Sequence, residues 1–142
     1  MSQLETLNTA KRLLTIESYI EEHFQVDVKK RKNQKYNNTY YLGLVLITYK
    51  KLFGDQRRPV PQTVYSKLMH RNRSTAISWE RRANEYLDVY KTRQEMYKCF
   101  LEEHSKNIYD DCNTNGKLST TGYIKIISDI SKEQLALLNR ED

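Results

Sequence analysis

The sequence predicts an all-α fold: a compact bundle of about five helices containing a helix-turn-helix, with a C-terminal tail. Only four Gly and two Pro occur in 142 residues, so backbone breakers are scarce. Lys, Glu, Leu, Arg and Gln, which lose little rotamer freedom in a helix, are common. Apolar residues recur at three- and four-residue spacing, and alternating strand-like runs are few. A chain of this length builds one modest core and not two substantial domains.

Residues 1–12 are polar and read as a frayed lead-in or an early helical turn before a domain spanning 13–108. Leu13, Ile16, Ile20 and Phe24 form a stripe that predicts the first helix, and Val26 and Val28 close over its core from an extended segment. Lys29, Lys30, Arg31, Lys32 and Lys35 then place five positive charges in seven residues, a run that cannot be buried. A second helix, from about Thr39 to Phe53, has Tyr41, Leu44, Val45, Thr48 and Leu52 on one side. Gly43 admits a close neighbour there, and this helix is expected to be the most buried element. Gly54 and Asp55 end it.

Pro61 suits a first helical turn, where its missing N–H would be unpaired in any case. The third helix, about Pro61 to Met69, is expected to bury Val64 and Leu68 and to expose Gln62, Ser66 and Lys67. His70 and Arg71 make a turn, and Asn72 is placed to N-cap a fourth helix reaching about Leu87. Ala76, Ile77, Ala83 and Leu87 should face inward, leaving Arg73, Ser74, Thr75, Ser78, Arg81 and Arg82 outward. A last helix, from about Tyr90 to Glu103 or His104, carries Met96, Tyr97, Phe100 and Leu101, with Thr92 to Glu95 as a capping box. Residues 109–142 read as a polar linker and a tail that includes the strand-like Tyr123 to Ile127. That segment is the expected place for self-association or a protein partner.

Charge is distributed unevenly. From Lys29 to Arg93 there are 16 Lys and Arg against four acidic residues, a local +12, whereas the whole chain carries +6. A basic centre with acidic ends points to a polyanionic partner, although a solvated lysine-rich surface gives the same balance. Residues 71–79, Arg-Asn-Arg-Ser-Thr-Ala-Ile-Ser-Trp, open an amphipathic helix just after a shorter one. A helix start offers unpaired N–H groups and partial positive charge, and Arg, Asn, Ser and Thr there reach phosphates and base edges. Double-stranded DNA is therefore the expected partner.

Several residues also carry a family likeness. Residues 16–28, the basic run from Lys29 to Lys35, and His70-Arg71-Asn72-Arg73-Ser74-Thr75-Ala76-Ile77-Ser78 followed by Arg81-Arg82 resemble the C-terminal DNA-binding domain of the bacterial replication initiator DnaA. That domain is helical and built around a helix-turn-helix related to that of the Trp repressor. The likeness spans roughly Leu13 to His104. It implies that the fourth helix reads the major groove, that the basic run reaches the minor groove, and that the role lies in replication or transcription control. Asn72, Arg73 and Ser78 stand where the family has Asp, His and His. Asn can pair with adenine and Arg with guanine, which implies a different target sequence. No Gly-x-x-x-x-Gly-Lys-Ser/Thr stretch occurs, so a DNA-reading module is expected without a nucleotide-hydrolysing one.

The candidate base-reading residues are thus Arg71, Asn72, Arg73, Ser74, Thr75 and Ser78. Lys30, Arg31, Lys32, Lys35, Gln62, Arg81 and Arg82 are the candidate backbone contacts. A single-strand binder would stack bases on Trp79 or on the eleven tyrosines. Most of the tyrosines lie on predicted helices and read as core, with Tyr36 and Tyr40 beside the basic run as exceptions. A protein-interaction or structural adaptor of phage or mobile-element type, using the scaffold without DNA, is the competing class. Its sign would be an apolar patch or a dimer over the Arg71 to Thr75 face.

No catalytic arrangement of Ser, His and Asp or of paired carboxylates stands out, and no enzyme activity is expected. His23, His70, His104, Cys99 and Cys112 lack metal-ligand spacing and are expected to be far apart in the fold, so no metal or cofactor is expected. The chain start lacks an apolar signal core, and the longest apolar stretch, Tyr40 to Tyr49, is too short to span a bilayer. A cytoplasmic protein without a membrane partner is the expectation.

Overall fold

Apolar and small residues at helical spacing run almost unbroken along the second helix, and the bundle is built around it. The computed structural model describes residues 3–28, 36–54 and 60–113. Within them lie α1 (Gln3–Phe24), α2 (Tyr36–Phe53), α3 (Pro61–Leu68), α4 (Arg73–Val89) and α5 (Lys91–Asn113), and among the described residues there is no strand. The fold is all-α, as predicted. Every residue from Leu42 to Tyr49 in α2 is buried. α1 packs on α2, α3 and α5, whereas α4 packs on α2, α3 and α5 from another side, its contact with α2 being the most extensive in the molecule.

That contact depends on Gly43. A Cβ there would run into the carbonyl oxygen of Trp79 and come within 2.5 Å of the Ala83 Cβ. The backbones of α2 and α4 therefore approach as only a glycine–alanine pair allows. Trp79 and Ala83 are buried beside it, and the Trp79 ring meets Tyr65 of α3 edge-on with centroids 6.0 Å apart.

Two helices are longer than their large apolar residues suggest. α1 begins at Gln3, because Thr6, Thr9 and Ala10 continue its inward stripe with small residues. α5 runs to Asn113, because Ile108 and Cys112 extend the stripe of Tyr97, Phe100 and His104 at three- and four-residue steps. The expected linker around Asp110 and Asp111 is thus helix, with both acids on its exposed side. The Tyr19 hydroxyl of α1 donates to the Asp111 carboxylate at 2.5 Å. The rest of the expected tail, 114–142, lies outside the described residues, as does the basic run 29–35.

Three further expectations are corrected. Ser66 is buried and not exposed, because α3 packs between α1 and α4, and the Ser66 hydroxyl is satisfied there by donating back to the Thr63 carbonyl at 2.8 Å. The capping box at Thr92 does not form. α4 and α5 instead meet at one extended residue, Tyr90, whose N–H closes α4 on the Tyr86 carbonyl and whose own carbonyl accepts the Gln94 N–H. Finally, His23 and His104 are not apart: α1 and α5 bring their facing nitrogens to 3.0 Å.

Polar groups inside the bundle are also in contact. The Thr48 hydroxyl donates to the Leu44 carbonyl and lies 2.8 Å from the Tyr97 hydroxyl, tying α5 to α2. Fully buried Tyr65 has its ionisation pushed well up by burial and by the nearby Glu17 and Glu21 carboxylates.

Two outcomes follow. Alanine normally favours a helix interior over glycine by up to about 1 kcal/mol. Here the α2 and α4 backbones would have to separate, so Gly43→Ala is expected to lose about 1–3 kcal/mol net, seen as a lower urea midpoint at unchanged slope. Equal or greater stability would contradict the close approach. The second concerns alkali. Burial pushes Tyr19 and Tyr40 up to about 12 and Cys112 up to about 11, and it raises Tyr97 as well. Their folded pKa values exceed the unfolded ones, so their stabilisation is complete below the unfolded values and is lost as pH rises through the folded ones. The melting temperature should therefore fall between about pH 9 and pH 12, and a flat profile would contradict this.

Candidate nucleic-acid interface

The candidate surface begins where α3 stops. Three bonds end that helix: Met69 N–H to the Tyr65 carbonyl at 3.0 Å, His70 N–H to Lys67 at 3.1 Å, and Arg71 N–H to Ser66 at 2.8 Å. The last two form the crossed pair of a Schellman motif. His70 occupies its left-handed position, with φ of 56°. Glycine is usual there, but His tolerates it better than a β-branched residue would. This turn aims the chain away from α3 and starts α4 after four intervening residues, 69–72.

Asn72 sits at the N-cap of α4 with extended backbone, and its carbonyl accepts the first helical bonds from Thr75 and Ala76 at 3.0 and 3.3 Å. Its side chain, however, makes no capping hydrogen bond. The first turn contains no acidic residue. Unpaired N–H groups and the positive end of the helix dipole are therefore offset by no carboxylate within that turn. Around them Arg71, Asn72, Arg73 and Ser74 are exposed, and Thr75 is half-buried.

The rest of α4 divides by face. Ala76, Trp79 and Ala83 point inward, while Ser78, Arg81 and Arg82 are exposed. Ile77 was expected inward but is 41% exposed. The spacing explains it: position 77 lies four residues after Arg73 and four before Arg81, on the same outward stripe. Sequence periodicity contained this signal, but hydrophobicity alone pointed the other way.

Glu80 fixes the orientation of the stripe. Its carboxylate accepts from Lys50 of α2 at 2.8 Å and from the Gln62 amide of α3 at 3.2 Å. Gln62, expected as a backbone contact, is thus engaged within the protein. Lys30, Arg31, Lys32 and Lys35 lie outside the described residues, in the segment between buried Val28 and α2.

Aromatic rings offer little stacking surface here. Trp79 and Tyr40 are buried, and Tyr40 is covered by the Arg93 guanidinium 4.4 Å from its ring centre, which corrects its expected place as an accessible ring. The Tyr36 side chain lies outside the described residues. A cleft of about 560 Å³ between α2, α4 and α5 is lined by Lys50, Glu80, Asp88, Tyr97 and Lys98 among others, and no His or Cys lines it. Among the described residues no helix is long and apolar enough to cross a membrane.

Because the Asn72 side chain makes no cap bond, Asn72→Ala should cost less than about 0.5 kcal/mol, where a bonded N-cap costs about 1 kcal/mol. A thermal or urea denaturation giving the larger loss would show that the side chain caps the helix and is not available to a ligand. Comparison of the chain with protein-family models, with curated proteins and with solved structures finds no match.

Proposed function

We propose that this is a non-enzymatic duplex-DNA-binding protein in which α3 and α4 act as a helix-turn-helix and the start of α4 enters the major groove. One observation carries the reading. Arg71, Asn72, Arg73 and Ser74 stand exposed around an acid-free helix N-terminus, with the Asn72 side chain unused as a cap. Asn72 and Arg73 offer the two-point hydrogen bonding that suits adenine and guanine edges. Ser74, Thr75 and Ser78 supply shorter polar contacts, and Ile77 supplies an apolar surface for a thymine methyl. Arg71, Arg81 and Arg82, together with Lys30, Arg31, Lys32 and Lys35 from the basic run, hold phosphates. The likeness to the DnaA DNA-binding domain supports the same docking and is the sole ground for a role in replication or transcription control.

Exposed Ile77 in the middle of this face favours the second reading, an adaptor that binds another protein there. Fluorescence anisotropy with a labelled random duplex separates the two. If about six phosphates are neutralised, log affinity falls with log salt at a slope near −5, and Lys32→Ala flattens that slope by about one. Arg71→Ala with Arg73→Ala should abolish duplex preference over a single strand of equal length. No binding even at low salt would remove the DNA reading and leave the adaptor.

A further inference from the structure

We propose that His23, His104 and Glu103 form a binding site for a divalent transition-metal ion, with Zn²⁺ the best-matched ion, clamping the end of α1 to α5. The site is independent of the DNA face. His23 lies in the last turn of α1, which closes at Gln25 in the left-handed region, with Val26 N–H bonded to the Glu21 carbonyl at 3.1 Å. His104 and Glu103 lie on α5. The fold brings residues 81 positions apart in sequence to a distance of 3.0 Å between His23 Nδ1 and His104 Nε2. The Glu103 carboxylate faces both, one oxygen 3.7 Å from the His23 nitrogen and the other 3.8 Å from that of His104.

These spacings approach those of a ligand set. Ligand atoms bound at about 2.0–2.1 Å around a tetrahedral ion stand about 3.4 Å from one another. The two imidazole nitrogens, 3.0 Å apart, stand close to that edge, and one ligand atom from each of the three residues lies within 4.8 Å of the others, so rotation of the exposed Glu103 side chain completes the set. They are, in addition, the one group of three or more potential ligand residues that converges among the described residues. Without an ion the two rings can meet only with one donating its single proton to the other, whereas a cation accepts the lone pairs of both.

The rings are held for this by packing. His23 meets Phe24 and Phe100 edge-on at 4.8 and 5.3 Å, and His104 lies between Tyr19 and Phe100 at 5.5 and 5.2 Å. Both imidazoles are mostly covered, at 23% and 19% side-chain exposure, while Glu103 is 64% exposed. An ion would enter from the Glu103 side and keep a fourth position open to water. Two imidazoles and a carboxylate select Zn²⁺, Co²⁺, Ni²⁺ or Cu²⁺ over Mg²⁺ or Ca²⁺, which prefer all-oxygen sets.

The test uses untagged, chelator-treated protein on a Cys99→Ser background, which removes an exposed thiol that would bind Zn²⁺ by itself. Isothermal titration with Zn²⁺ should give one ion per chain, and saturating Zn²⁺ should raise the melting temperature by several degrees where equal Mg²⁺ does not. Co²⁺ should give the intense visible absorption of a four-coordinate site. His104→Gln and His23→Gln, each compared with its own chelated baseline, should lose the shift and the absorption. Glu103→Gln should weaken binding about tenfold. A Zn²⁺-induced shift that survives in the double histidine variant, or no saturable binding at millimolar Zn²⁺, would overturn the site.

Discussion

The close approach of α2 and α4 at Gly43 is the constraint on which the rest of the molecule depends. A side chain at that position would collide with the Trp79 carbonyl, so the two helix backbones meet directly. This fixes Trp79 and Ala83 inward, and helical geometry then leaves no choice about which residues of α4 face out. Arg73, Ile77 and Arg81 form one outward stripe because Trp79 and Ala83 are locked inside. The exposed face is thus a consequence of core packing and not an independent feature.

Polar contacts refine what the backbone contact sets. Glu80 receives Lys50 from α2 and Gln62 from α3, so one carboxylate registers three helices against one another. It is 13% exposed, and partial burial makes that pairing more geometrically exacting than a surface ion pair. The Schellman turn at His70 sets the direction in which α4 leaves α3. On the far side, α1 and α5 share a cluster of Tyr19, His23, Phe24, Phe100 and His104, which extends the core beyond its aliphatic part.

Much of this was legible from residue types. Pro61 opens α3 because its missing N–H suits that place, and Gly43 marks the close helix contact because nothing larger fits. The Leu13, Ile16 and Ile20 stripe is buried as read. What escaped has two physical causes: inward positions filled by small or polar residues, and an inward stripe interrupted by acidic neighbours on the exposed side. Thr6, Thr9 and Ala10 hid the start of α1, and Asp110 and Asp111 masked the Ile108 and Cys112 stripe at the end of α5. Ile77 erred in the opposite sense, an apolar residue whose phase, not its chemistry, decides its exposure. The His23–His104 approach had no local signal at all, because it is a tertiary contact between the two longest helices.

We propose that the outward stripe and start of α4, positioned by the Gly43 contact, form the surface that meets duplex DNA. Titrating ¹⁵N-labelled protein with a short duplex and following backbone amide shifts tests it most directly. The largest changes are expected at residues 71–78 and on through Arg81, with the amides of α5 around Phe100 to Ile108 little affected. Changes concentrated on α5, or a spectrum indifferent to duplex at low salt, would contradict it.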